Sequence, residues 1–135
     1  MTTTATPIFS QTPLVGKATL TSPTAITSRA NITGTTGLVQ LTPTSVNGKR
    51  LDWLRVIGKG TSLVGLLFVW LYDGTTATLI DEIALSAVTG STTTAAVKVD
   101  TAYASAGFNL QPSYQLFVSV TVAQDLNAYA FGGDY

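Results

Sequence analysis

From residue 14 onward apolar and polar positions alternate with a period of two, and Gly, Pro, Asn and Asp break the alternation at short intervals. Such a pattern reads as strands with one buried face, separated by turns. Lys17 to Thr21 is the first predicted strand, closed by Ser22-Pro23, and Ala25 to Ala30 is a weaker second piece. Asn31 to Gly37 reads as a loop, Leu38 to Thr42 alternates again, and Pro43 stops it. Asn47-Gly48 carries the sequence signal of a tight hairpin turn. In Arg50 to Ile57 the parity sets Leu51, Trp53, Arg55 and Ile57 on one face and Asp52, Leu54 and Val56 on the other. Both faces are partly apolar, so a central strand is expected.

Gly58-Lys59-Gly60 turns the chain, and Leu63 to Tyr72 is apolar on both faces until Asp73-Gly74, a second turn signal. Thr78 to Ser86 follows, with Leu79, Asp81, Ile83 and Leu85 opposite Ile80, Glu82 and Ala84. Thr94 to Thr101 and Tyr114 to Val122 alternate cleanly, with an irregular stretch from Tyr103 to Pro112 between them. Asn127 to Phe131 closes the pattern, leaving Gly132 to Tyr135 as a tail. No window holds the helical i, i+3, i+4, i+7 spacing over three turns, and no repeat of 20 to 50 residues is visible. The expectation is an all-β fold: a two-sheet antiparallel sandwich of about eight strands, jelly-roll-like. Residues 1–13, with four threonines before Pro7 and Ile8-Phe9 as the bulky apolar pair, read as an extended N-terminal arm; residues 14–135 read as one β-sandwich domain.

Composition narrows the function. Seven basic and seven acidic residues cancel, and 10% of residues are charged, against about 25% in ordinary domains. Threonine (24) and serine (10) give a polar but uncharged exterior, a surface suited to assembly because little charge keeps copies apart. With no His and no Cys, histidine acid–base catalysis, thiol chemistry, disulfides and ordinary zinc, haem or iron–sulfur sites are excluded. Scattered cations at zero net charge argue against a nucleic-acid partner. The longest apolar run, Leu63 to Tyr72, is about half a membrane helix, and Met1 to Thr6 lacks the features of a secretory leader.

Candidate chemistry is sparse. Asp81 and Glu82 adjoin on a strand and point to opposite faces, so they cannot share a substrate. Gly58 to Ser62 fails as a phosphate loop because a strand follows it. Lys49-Arg50 reads as a solvated turn flank or edge guard. Among the strand aromatics, Trp53, Trp70 and Tyr72 are the candidates for a carbohydrate-binding face, although Trp70 and Tyr72 share parity with Phe68, which favours a buried stripe. No catalytic residue, metal ligand or cofactor site is expected, and the chain is not expected to be an enzyme.

Leu51-Asp52-Trp53-Leu54-Arg55-Val56, Leu66 to Gly74, Leu79-Ile80-Asp81-Glu82-Ile83 and the ending Ala130-Phe131-Gly132-Gly133-Asp134-Tyr135 occur in this order. The series resembles small structural proteins of tailed bacteriophages, over about Arg50 to Tyr135. That resemblance implies a virion component: a capsid decoration or cement protein on the outer shell, made in the host cytoplasm, its partner the major capsid protein at capsomer junctions. It further implies a homo-oligomer, a trimer ahead of a dimer; no membrane partner is expected from the short apolar run noted above. Partner contacts are expected at Pro7, Ile8 and Phe9 in the arm and at Asn47, Lys49 and Arg50. Two other readings stay open: a tail or fibre module binding a host-surface glycan, and a pilus- or coat-like subunit completed by a donated strand.

Overall fold

The computed structural model describes residues 12–103 and 108–135. They form two antiparallel sheets and no helix. The strands are β1 (Thr12–Leu20), β2 (Ile32–Thr33), β3 (Val39–Gln40), β4 (Lys49–Gly58), β5 (Gly65–Tyr72), β6 (Thr76–Leu85), β7 (Lys98–Ala102), β8 (Phe108–Leu110), β9 (Gln115–Val120) and β10 (Leu126–Asp134). The first sheet runs β1-β10-β4-β7, with β8 pairing the other half of β4; the second runs β2-β6-β5-β9-β3. β4 and β5 are central in their sheets, as their two-sided apolar patterns require.

The sheets face each other across one core. Ala18 and Leu20 of β1, Leu54 and Val56 of β4 and Ala128 and Ala130 of β10 meet Leu67 and Val69 of β5, Ile83 of β6 and Val118 of β9. A second apolar cluster lies on the outer face of the second sheet. There Phe68, Trp70 and Phe117 pack under Ile26, Ile32 and Leu38 from the long β1–β4 connection. Trp70 is fully buried, donates its indole N–H to Ser119 Oγ at 2.8 Å, and meets Phe68 edge-on with ring centroids 5.9 Å apart. Arg29 of the same connection lies over the Phe68 ring and forks onto Glu82, with Nη2 2.7 Å from Oε1. This segment therefore seals the second sheet from outside. The buried stripe expected of Phe68, Trp70 and Tyr72 is this cluster.

Two bulges break the simple parity. Phe131 pairs with Trp53 and Gly132 with Leu51, so Asp52 is the extra residue in β4. Leu51 then joins Leu54 in the core, while Trp53, Arg55 and Ile57 turn outward. Val69 pairs with Asp81 and Trp70 with Leu79, so Ile80 is the extra residue in β6. Leu79 consequently belongs to the outer cluster, and Ile83 and Leu85 to the inner one.

Several expectations change. Residues 25–30 form no strand beyond one bridge from Ala25 to Val120, because the segment is spent on capping the second sheet. Asn47-Gly48 is a turn, with Gly48 at φ 87°, but it joins strands of different sheets and is not a hairpin. Gly132 to Tyr135 is not a loose tail. β10 continues to Asp134 because Thr12–Leu14 pair on one side and Lys49–Leu51 on the other. The first strand begins at Thr12, so Thr12 and Pro13 belong to the sheet; residues 1–11, with Pro7, Ile8 and Phe9, lie outside the described residues.

Candidate functional site

The outer face of the first sheet carries no covering segment among the described residues, and cross-strand register organises it into rungs. One rung runs Val15, Phe131, Trp53, Ala102 across β1, β10, β4 and β7. The next runs Lys17, Tyr129, Arg55, Asp100. Trp53 and Phe131 stack with centroids 4.2 Å apart and planes 21° from parallel, and Tyr129 extends the stack beyond Phe131. The Arg55 guanidinium sits 5.1 Å from the Trp53 ring centroid and forks onto Asp100, with Nε–Oδ1 at 2.7 Å and Nη2–Oδ2 at 3.1 Å. That fork holds the Asp100 carboxyl below, and the Arg55 guanidinium above, their ordinary pKa values. Val15, 63% exposed, completes a flat apolar strip bordered by paired charges. Parity alone put Trp53 beside Leu51; the bulge at Asp52 is what presents it to solvent.

The corner with the remaining sequence-picked residues is divided. Asn47 is exposed and its Nδ2 reaches the Tyr135 carbonyl at 3.4 Å. Arg50 is half-buried and forks onto Asp52 at 2.9 and 3.3 Å. Lys49 is not a solvated flank. It is 1% exposed, on the core side of β4, and its Nζ has no hydrogen-bond partner. Asp134 stands opposite it in register and also leaves one buried oxygen, Oδ1, unpartnered. Burial lowers the Lys49 pKa, with the Asp134 charge opposing. Replacing Lys49 by methionine, which keeps the stem and removes the charge, is therefore expected to stabilise the fold by about 1 kcal/mol at neutral pH. The sign with pH follows. The amine binds a proton less tightly folded than unfolded, so stability rises with pH from its lowered folded pKa to the ordinary 10.5. The gap between wild type and Lys49→Met should narrow over that window in denaturant titrations; a constant gap would contradict it.

A cleft of about 400 Å³ opens between the sheets at their β6 and β8 edges. Leu71, Ile80 and Leu110 supply apolar wall, and Tyr103 and Tyr114 supply rings. Asp81 completes the lining, with the exposed amides of Asn109 and Gln111. The Tyr103 hydroxyl donates to Asp81 Oδ2 at 2.8 Å, and burial together with that carboxylate raises the Tyr103 pKa, so the phenol stays protonated. Asp81 and Glu82 do point apart, one to this cleft and the other to Arg29 outside. Sequence reasoning missed the cleft because Tyr103, Asn109 and Tyr114 converge only through the tertiary fold.

Among the described residues no group of three potential metal ligands converges, and no helix is long and apolar enough to cross a membrane. No protein-family model, curated protein or solved structure matches the chain.

Proposed function

We propose that this chain is a structural protein of a tailed-phage virion, a decoration protein that binds the outer capsid and stabilises it. The observation that carries the reading is the asymmetry of the sandwich. One outer face is sealed by the chain's own connection, and the other is an aromatic strip that no described segment covers, with paired charges beside it. Stacked aromatics flanked by arginine are the composition of protein-contact surfaces, and preformed rungs lose little side-chain freedom on docking. The resemblance over Arg50 to Tyr135 supplies the virion context. The strand orders β1-β10-β4-β7 and β6-β5-β9-β3, with most successive strands changing sheet, favour a jelly roll. A fold alone specifies no role. Docking through this strip at capsomer junctions, as an oligomer with the arm reaching a neighbour, would let many modest contacts add.

The test is copy number per particle by quantitative mass spectrometry of purified virions. Hundreds of copies, in simple proportion to the major capsid protein, are expected. Absence from the particle overturns the reading. Trp53→Ala combined with Phe131→Ala should abolish capsid binding while the protein still folds. A few to a few dozen copies would instead favour a tail or fibre module. In that module the outward Trp53–Phe131 stack would be a platform for sugar rings.

A further inference from the structure

The cleft between β6 and β8 is separate from the aromatic strip, which lies on the outside of the first sheet. The bulge at Ile80 shapes it. The extra residue, 40% exposed, turns its side chain along the opening, and the parity shift swings Asp81 to the cleft side. Bulges of this kind re-aim side chains at sites of function.

Asp81 is anchored, and among the described residues no Lys or Arg forms an ion pair with it. Its Oδ1 accepts the Glu82 backbone N–H and its Oδ2 the Tyr103 hydroxyl, both at 2.8 Å. Each carboxylate oxygen keeps a further acceptor position. The three ion pairs among the described residues engage Glu82, Asp52 and Asp100, and none reaches Asp81. The carboxylate lines a partly enclosed cleft beside apolar wall, where a charge pair is screened less than in open water. A cationic group completes it best. A long aliphatic stem would lie along Leu71, Ile80 and Leu110 beside Tyr114, with its charged head at Asp81. A neutral saccharide could use the rings and the amides of Asn109 and Gln111, but would leave the carboxylate charge uncompensated.

We propose that this cleft is a receptor for one basic side chain, lysine or arginine, of a protein partner, with Asp81 as its counter-ion. That the donor belongs to a capsid rests on the docking role proposed above; the recognition chemistry does not.

The experiment is a titration of the full chain, followed by amide chemical shifts, with the capped amino acids Nα-acetyl-lysine methylamide and Nα-acetyl-arginine methylamide. Shifts confined to Leu71, Ile80, Asp81, Tyr103, Leu110 and Tyr114 are expected, saturating at about millimolar affinity as one charge pair on apolar wall supplies. Affinity should fall as salt rises, and should drop at least about tenfold in Asp81→Asn, which keeps the shape and one acceptor oxygen for Tyr103 while giving up the acceptor for the Glu82 N–H. The salt dependence reads the same charge in wild type, so the result does not hang on the variant folding. No shifts at the cleft, equal binding of the uncharged Nε-acetyl-lysine analogue, or saturation by a methyl glycoside instead would each overturn the proposal. No capsid is present in the titration, so its outcome is independent of the copy-number result.

Discussion

Gly132→Ala will lower stability by about 3 kcal/mol or more, the range reached when a core is overpacked and its backbone cannot yield. A β-carbon there would come within van der Waals overlap of the Arg50 carbonyl oxygen and 3.1 Å from the Leu51 α-carbon. Both are backbone atoms of β4, the strand paired to β10 along its length. Relief would mean parting the two central strands of the first sheet at the bulge that turns Trp53 outward. For a domain of this size the loss corresponds to a fall in Tm of roughly 10 °C. Gly74→Ala is the contrast. Its β-carbon meets nothing within 4 Å, so the cost is that of φ +100° alone, about 1–2 kcal/mol. If Gly132→Ala melts within a degree or two of wild type, the bulged pairing of β10 with β4 is wrong.

Trp70→Ala should cost about 3–5 kcal/mol, the range for emptying a large aromatic site. The ring is fully buried between the second sheet and its covering segment, and its loss would also leave the buried Ser119 hydroxyl without its indole donor. Trp70→Phe, which keeps most of the volume and loses the hydrogen bond, should cost about 1–2 kcal/mol. The two variants differ in a second readout. Trp70→Ala should make the 21–38 segment protease-sensitive before the sandwich unfolds, because Ile26, Ile32 and Leu38 lose the surface they rest on. Cleavage elsewhere first would show that the segment is held by something other than this cluster.

Strand identity was legible because alternation and turn residues speak locally. Leu116, Val118 and Val120 face the core and Phe117 the outer cluster, as their parity states. What local pattern could not state is where parity breaks. Asp52 and Ile80 look like ordinary members of alternating runs, and only the pairing of β10 against β4 and β5 against β6 makes each the extra residue. Both candidate surfaces depend on those two breaks, which is why Trp53 was legible as an aromatic and not as part of a stacked rung. Ile26, Ile32 and Leu38 were unreadable for a different reason. Ile26 and Ile32 stand in a Thr- and Ser-rich segment with weak alternation, and the alternation of Leu38 to Thr42 does not say that Leu38 packs over the outer face; these roles follow from the second sheet having two apolar faces. Lys49 misled because a charge beside a Gly turn is ordinarily solvated, whereas here its register position points it inward.

The pairing of Thr12 with Asp134 has a mechanical consequence. Tension applied between these two points pulls adjacent antiparallel strands apart from one end. Their ladder bonds lie perpendicular to the strands, so they would open singly, as a zipper does, rather than resist together in shear. The sandwich resists least along that axis, and in the proposed decoration role the load of a pressurised shell would pass through the faces of the sheets rather than through Thr12 and Asp134.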